Sequence, residues 1–121
     1  MSIPDYQTIM LPLLRIAADG EEHPIREATE VLADHFDLSD DERKVPLPSG
    51  GQALFVNRVG WARTYMKKAG LLIYRRRGHF KITTRGQKLL QENPRKIDSK
   101  MLESYSEFRT FRVKRRAERS R

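Results

Sequence analysis

The sequence predicts a mainly α fold with one small β-hairpin, and three observations support that class. Apolar residues recur at helical spacing in three successive segments. Two short apolar runs, residues 71–74 and 80–83, flank an arginine-rich turn, which is typical of a hairpin. A fourth helical stripe covers residues 98–113. With 121 residues, the chain is long enough for one compact domain with an appended helix and too short for a large enzyme.

The first predicted helix carries an apolar stripe over residues 6–17. Asp5 precedes it as a suitable N-cap, and Gly20 follows as a stop signal. Pro12 lies inside the stripe, where it removes one backbone hydrogen bond and clashes with the preceding turn. We therefore expect either a kink at Pro12 or a helix that begins near Leu11.

The second predicted helix opens at Pro24, a favourable first helical residue, and ends near Asp37. Its apolar stripe consists of Ile25, Ala28, Leu32 and Phe36. Residues 39–42 then have the S-x-x-E form of a capping box, which predicts one short helical turn before the Pro46/Pro48 break.

The third predicted helix, residues 53–69, has the strongest periodicity in the chain and stops at Gly70. Its stripe consists of Phe55, Val59, Ala62, Met66 and Ala69. About sixteen residues separate it from the second helix, whereas the usual turn between paired helices has roughly three or four. This long connection is unusual for a helix-turn-helix.

The predicted hairpin turns at Gly78, with Arg75, Arg76 and Arg77 at its tip. Residues 84–87 match a capping box again and predict a short helix that ends at Asn93. Three helices followed by a two-stranded hairpin is the order of a winged helix-turn-helix, here with a C-terminal helix added. We expect residues 1–94 to form the winged-helix domain, and residues 95–121 to form a helix and a basic linker or tail.

Charge is segregated along the chain. The 24 Lys+Arg and 16 Asp+Glu give a net charge of +8, divided as −7 over residues 1–48, +10 over residues 49–91 and +5 over residues 92–121. The middle segment contains ten cations and no acid, so local salt bridges cannot neutralise it and its field extends outward. A basic face kept for solubility is the alternative, but solubility does not require the exclusion of every acid. Nucleic acid is therefore the favoured partner.

The sequence lacks the residues that several kinds of site and reaction require. With no Cys, the chain has no disulfide, thiol nucleophile or Cys-based zinc site, and it suits the cytoplasm. The three His lack metal-ligand spacing, and the acids around His35 fit a solvated helix end. No uncharged stretch is long enough to span a membrane, and the N-terminus lacks a secretory pattern. We expect no catalytic residue, metal or cofactor, and no membrane partner.

Three segments carry a resemblance to a known family. They are LPSGGQALFVNRVGWARTYMKKAGLL at residues 47–72, RRRGHFKITTRGQKLL at residues 75–90 and NPRKID at residues 93–98. Together they resemble the N-terminal domain of the Mrr family of restriction endonucleases. The resemblance implies a winged-helix DNA-binding module placed ahead of a nuclease domain of the PD…(D/E)xK type. It also implies that the parent proteins cut modified, typically methylated, duplex DNA.

The nuclease motif itself is matched only formally. Pro4-Asp5 is a PD and residues 42–44 form an E-x-K, but no predicted strand lies between them. A metal-dependent nuclease needs both acids and the lysine to converge from adjacent strands. We interpret the match as chance and expect a non-catalytic chain.

On the face of the third helix opposite its apolar stripe, the sequence places side chains suited to a DNA groove. Gln52 and Asn57 are amides that can pair with adenine edges, and the lysines and arginines suit phosphates. Residues 49–51 offer backbone N–H groups at the helix start, and the hairpin tip suits the backbone or a minor groove. The predicted DNA-binding residues are Ser49, Gly50, Gln52, Asn57, Arg58, Gly60, Arg63, Thr64, Lys67, Lys68, Arg75, Arg76 and Arg77.

For two of these residues, DNA contact and a structural role are equally weighted. For two aromatic residues nearby, a structural role is favoured. Arg58 either contacts DNA or pairs with an acid from residues 1–48. Gly60 allows either close approach to a groove or tight helix packing, at a cost of about 1 kcal/mol relative to Ala. Core packing is favoured over base stacking for Trp61 and Tyr65.

Two other functions compete with this interpretation. A free-standing winged-helix transcriptional regulator would dimerise through residues 98–113. An adaptor would use the basic surface to bind an acidic protein, and salt-sensitive DNA binding separates it from the other two. The basic tail, residues 114–121, suits a linker or a nonspecific nucleic-acid arm, and a membrane-surface helix is a weaker third interpretation.

Overall fold

Residues 3–119 are described by this computed structural model, and they form seven α-helices and a three-stranded antiparallel sheet. The predicted mainly α class with a small hairpin is confirmed. Residues 1, 2, 120 and 121, which include the end of the predicted basic tail, lie outside the described range. The helices are α1 (Tyr6–Ile16), α2 (Ile25–His35), α3 (Asp40–Lys44), α4 (Leu54–Lys68), α5 (Thr84–Gln91), α6 (Ser99–Leu102) and α7 (Ser106–Arg119). The strands are β1 (His23–Pro24), β2 (Leu72–Ile73) and β3 (His79–Ile82).

Helix α1 runs through Pro12 without a break. The Asp5 carboxylate accepts a hydrogen bond from the Thr8 N–H at 2.8 Å, so the helix starts where the N-cap predicts and not near Leu11. This hydrogen bond is the main reason that the pKa of Asp5 is lowered. Ile9, Met10, Leu13 and Leu14 are fully buried, and their packing offsets the hydrogen bond lost at the proline.

Helix α4 packs its apolar face on α1, and these two helices form the principal helix pair. Phe55, Val59, Ala62 and Met66 are buried along that face, as their spacing predicts. A short 3₁₀ turn, Ala17–Asp19, ends α1 and brings the chain round to the sheet. Because α1 covers the inner face of α4, the polar side of α4 faces away from the core.

The sheet has the order β1-β3-β2, and β1 is a strand that the sequence did not predict. His23 pairs with Phe80, and Leu72 pairs with Ile82 on the other side of β3. β1 has only two residues, too few for a periodic signal. Pro24 takes an extended conformation in this strand, so α2 begins one residue later than predicted.

The predicted helix starts agree with the structure at α1 and α3, whereas those of α2 and α5 shift by one residue. Ser39 and Glu42 form both hydrogen bonds of the predicted capping box at the start of α3. At α5, however, the N-cap is Thr83 and not Thr84. The Thr83 hydroxyl accepts from the Gly86 N–H at 3.0 Å and donates to the Gly70 carbonyl at 2.6 Å. This second bond to the end of α4 selects Thr83 over its neighbour.

The C-terminal stripe, residues 98–113, forms two helices instead of one and packs into the core of the chain. Ile97, Leu102 and Phe108 belong to the same buried cluster as the residues of α1 and α4. Phe108 and Phe111 both contact the Tyr65 ring, with centroids 5.5 and 5.7 Å apart. The stripe predicted to form a dimer therefore covers α4 of its own chain.

Replacing Phe108 with Ala tests whether α7 is part of the folded core. We expect Phe108→Ala to lower the free energy of unfolding by about 3–5 kcal/mol, because a fully buried ring leaves a cavity. Urea denaturation followed by circular dichroism measures this change. Val113→Ala, at a residue of the same helix that is 63% exposed, is the control and should stay within about 0.5 kcal/mol of the wild type. Equal stabilities of the two variants would contradict the packing of α7.

Candidate nucleic-acid interface

The outer face of α4 is the candidate interface, and it carries no carboxylate. The sequence of α4, LFVNRVGWARTYMKK, contains four cations and no acid. Helical spacing places Asn57, Gly60, Thr64 and Lys67 opposite the stripe that packs on α1. The α4 outer face, defined by these four residues, therefore presents amide, hydroxyl and ammonium groups to solvent.

A shallow groove of about 300 Å³ lies along this face. The Asn57 side-chain N–H donates to the Gln52 side-chain oxygen, Oε1, at 3.2 Å, so the two predicted amides lie together. Each amide keeps further donors and acceptors for a ligand, because this bond uses one donor of Asn57 and one lone pair of Gln52. The groove is lined by Gln52, Asn57, Gly60, Trp61, Arg63 and Thr64.

The loop before α4 is closed by its own backbone. Pro46 and Ala53 form a β-bridge, and the Leu47 N–H donates to the Gln52 carbonyl at 2.9 Å. The Gly50 N–H donates to the Leu47 carbonyl at 2.8 Å, so it is already used within the loop. The predicted role of Gly50 as a backbone phosphate donor therefore needs correction, whereas Ser49 stays exposed at the tip.

Gly60 faces open space. A Cβ atom built on it meets no heavy atom within 4 Å among the described residues. No described side chain therefore packs against Gly60, so the structure does not support helix packing as the reason for this glycine. Close approach to a ligand remains the explanation consistent with the structure.

Two cations of α4 lie over one ring. The Arg63 guanidinium is 4.8 Å and the Lys67 ammonium 5.0 Å from the centroid of Tyr74, which follows β2. Burial raises the pKa of Tyr74, and the nearby Arg63 opposes that rise. Both cations therefore lie on the side of α4 that faces the hairpin.

The Arg58 guanidinium contacts the N-terminal segment and does not belong to the α4 outer face. Its guanidinium donates to the carbonyl oxygens of Ile3 and Pro4, at 2.7 and 3.2 Å. Neither predicted alternative describes this arrangement, since the partners are backbone carbonyls and not an acid or a free surface. Arg58 anchors the N-terminal segment to α4, and its charge also contributes to the lowered pKa of Asp5.

The hairpin tip keeps two of its three arginines without a carboxylate partner among the described residues. Arg75 and Arg77 are exposed, whereas Arg76 donates to Glu22 at 2.7 Å. Arg85, another cation of the acid-free segment at residues 49–91, forms a salt bridge with Glu107, with 2.8 Å between nitrogen and oxygen. The available positive surface is therefore narrower than the composition predicts.

The sequence analysis placed the cations from residue 114 onward in a linker or tail, whereas the structure continues α7 to Arg119 and puts its arginines beside α4. The Arg115 guanidinium stacks 4.2 Å from the centroid of Trp61, and Lys68 lies 5.3 Å from that of Phe111. Trp61 is 37% exposed, so it forms part of this surface in addition to packing. The signal was present in the sequence as the helical spacing of Arg112, Arg115, Arg116 and Arg119.

Two further findings concern residues 3–119. They contain no group of three or more His, Cys, Asp or Glu side chains placed to hold a metal ion. They also contain no helix with the length and apolar character required to cross a bilayer.

Comparison with known proteins gives two matches. The family model of the Mrr N-terminal domain matches residues 6–92. The type IV methyl-directed restriction enzyme EcoKMrr of Escherichia coli strain K12 is 34% identical over 95 residues, which cover 78% of this chain. The aligned part spans 31% of that enzyme, so the chain covers about a third of its relative. No solved structure matches.

Gly60→Ala tests whether this position is free of structural constraint. We expect the free energy of unfolding to rise by about 1 kcal/mol, because Ala favours a helix and nothing obstructs its methyl group. Gly86→Ala is the matched control in α5, since its Cβ would lie 2.5 Å from the Leu71 carbonyl oxygen and should destabilise the fold. Chemical denaturation measures both, and destabilisation by Gly60→Ala would refute an open α4 outer face.

Proposed function

The chain belongs to the Mrr N-terminal domain family, and from that premise we propose that it is a winged-helix module that binds duplex DNA. The observation that carries the proposal is the acid-free α4 outer face, open to solvent and flanked by cations. Phosphates repel carboxylates and attract cations, so a helix of this composition suits a major groove.

In this proposal α4 enters the major groove, and the β2–β3 hairpin lies along the backbone. Asn57 and Gln52 are placed for base edges, where a bidentate amide contact gives about 1–3 kcal/mol of discrimination. Gly60 lets the helix backbone approach the groove closely. Lys67, Lys68 and the hairpin arginines contact phosphates.

We also infer that the DNA is modified and that the chain acts as the non-catalytic reader of a cytoplasmic restriction system. The relative of known activity is described as methyl-directed, which supports this part of the proposal. Beside the groove, Val56 is 41% exposed and lines a cleft of about 370 Å³ together with Ile25 and Gly60. Apolar side chains of this kind make favourable contacts with base methyl groups.

Titration with methylated and unmodified duplexes of equal length tests both parts of the proposal. With about five phosphates engaged, the slope of log affinity against log salt should be roughly −4.5. Fluorescence anisotropy at two salt concentrations measures that slope, and the methylated duplex should bind more tightly. Equal affinities would contradict methyl reading, and no binding at low salt would contradict DNA binding.

A Lys67→Gln variant tests the orientation of α4. Losing one phosphate contact should reduce the magnitude of the salt slope by about 0.9, so the affinity change between about 50 and 200 mM salt shrinks about 3.5-fold. Arg15→Gln is the control, because Arg15 is an exposed cation on α1, the helix that covers the inner face of α4. The same slope for both variants would place the duplex elsewhere.

A further inference from the structure

A second basic site lies between α1, α4 and α7. It is a cleft of about 460 Å³, and none of the described residues that line it carries a carboxylate. We call it the arginine cleft, and it is lined by Tyr6, Tyr65, Arg112, Arg115, Arg116 and Arg119. Nothing in the family match assigns a role to it, because that match ends at residue 92.

Packing holds the arginines in place. Their spacing of i, i+3, i+4 and i+7 puts them on one side of α7. Phe108 is fully buried and fixes that helix against Tyr65 of α4. Arg115 stacks on Trp61, and its guanidinium lies 3.5 Å from the Tyr65 hydroxyl. A stacked guanidinium still presents its planar N–H donors, the geometry that suits a phosphate.

The acids near this site leave three of its arginines without an ion pair among the described residues. Glu107 pairs with Arg85. Glu118 lies one helical turn from Arg115, but the two form no ion pair among the described residues. Within residues 3–119, the ion pairs include none to Arg112, Arg115 or Arg119. The like charges of Arg112, Arg115 and Arg119, which have no carboxylate partner among the described residues, attract an anion with several negative charges.

The arginine cleft is next to the groove on α4, because a residue that lines one contacts a residue that lines the other. Trp61 lines that groove and is also the ring on which Arg115 stacks. From Arg112 to Arg119 the row extends about 10 Å along α7, at about 1.5 Å per residue. This length corresponds to about three base steps of 3.4 Å along one DNA strand.

We infer that the arginine cleft binds consecutive phosphates of the DNA strand that borders the segment contacted by α4. This inference rests on the proposed function. It extends the proposed DNA-contacting surface from the α4 outer face to the arginines of α7. The contact is with the phosphodiester backbone and carries no sequence information of its own, so it adds affinity and fixes the register of α4 on the duplex.

The test compares two doubly substituted variants in duplex binding. Arg112→Gln/Arg119→Gln should reduce the magnitude of the salt slope by about 1.8, so the affinity change between about 50 and 200 mM salt shrinks about 12-fold. The matched control is Arg15→Gln/Arg95→Gln, which removes two cations from a different cleft, lined also by Asp5 and Asp98. Slopes reduced equally in both variants, or in neither, would overturn the inference.

A second readout uses the single Trp of the chain. Because Arg115 stacks on Trp61, the fluorescence of Trp61 should respond to inorganic pyrophosphate, and Arg112→Gln/Arg119→Gln should lose most of that response. Arg119→Gln alone serves if the double variant does not fold. An unchanged response in a folded cleft variant would contradict phosphate binding at this site.

The two proposals fail in different ways. If Lys67→Gln changes the slope and the cleft variant does not, DNA binding stands and the cleft inference is wrong. If the wild type does not bind the duplex at low salt, the proposed function is wrong and the assignment of the cleft to DNA falls with it. Binding to phosphatidylserine vesicles without binding to the duplex would likewise overturn the inference in favour of a membrane surface.

Discussion

The packing of α1 on α4 is the interaction on which the rest of the structure depends. It buries the apolar stripe of α4, including Val59, Ala62 and Met66, and so determines which side of this helix faces solvent. Hydrophobic burial is strong and non-directional, whereas exposed charges contribute little to stability. The polar residues of the α4 outer face are therefore available for binding, because burial of the opposite side stabilises the helix pair. The open environment of Gly60 agrees with this division, since a glycine in a helix weakens the fold and makes no packing contact in return.

The distribution of charge follows from the same arrangement. The acid-free segment contains ten cations, but the fold uses some of them internally. Arg58 anchors the N-terminal segment, Arg85 pairs with Glu107, and Arg76 pairs with Glu22. Helix α7 adds cations on the opposite flank of α4, through packing that the charge count alone does not reveal. The positive surface thus combines parts of the chain that are about fifty residues apart in sequence.

Much of this architecture could be predicted from local patterns. The periodicity of α4 and the capping box of α3 depend on neighbouring residues, and both were identified within a residue or two. The features that the sequence did not predict depend on long-range contacts. Strand β1 exists only because it pairs with β3, Thr83 is selected as a cap through its bond to Gly70, and the stripe of α7 packs on α4 within the same chain. In the candidate site, the sequence identified Gln52 and Asn57, which lie together in the groove. The internal hydrogen bond of Gly50 and the stacking of Arg115 on Trp61 could be recognised only from the folded structure.

We propose that the side of α4 turned away from α1 is the surface that meets the duplex. Amide chemical-shift mapping by NMR during titration with a short duplex tests it most directly. We expect shifts concentrated at Asn57, Gly60 and Thr64, at the hairpin tip and along α7, with little change around Arg15 and Arg95. Shifts concentrated around Arg15 and Arg95, with α4 unchanged, would contradict it.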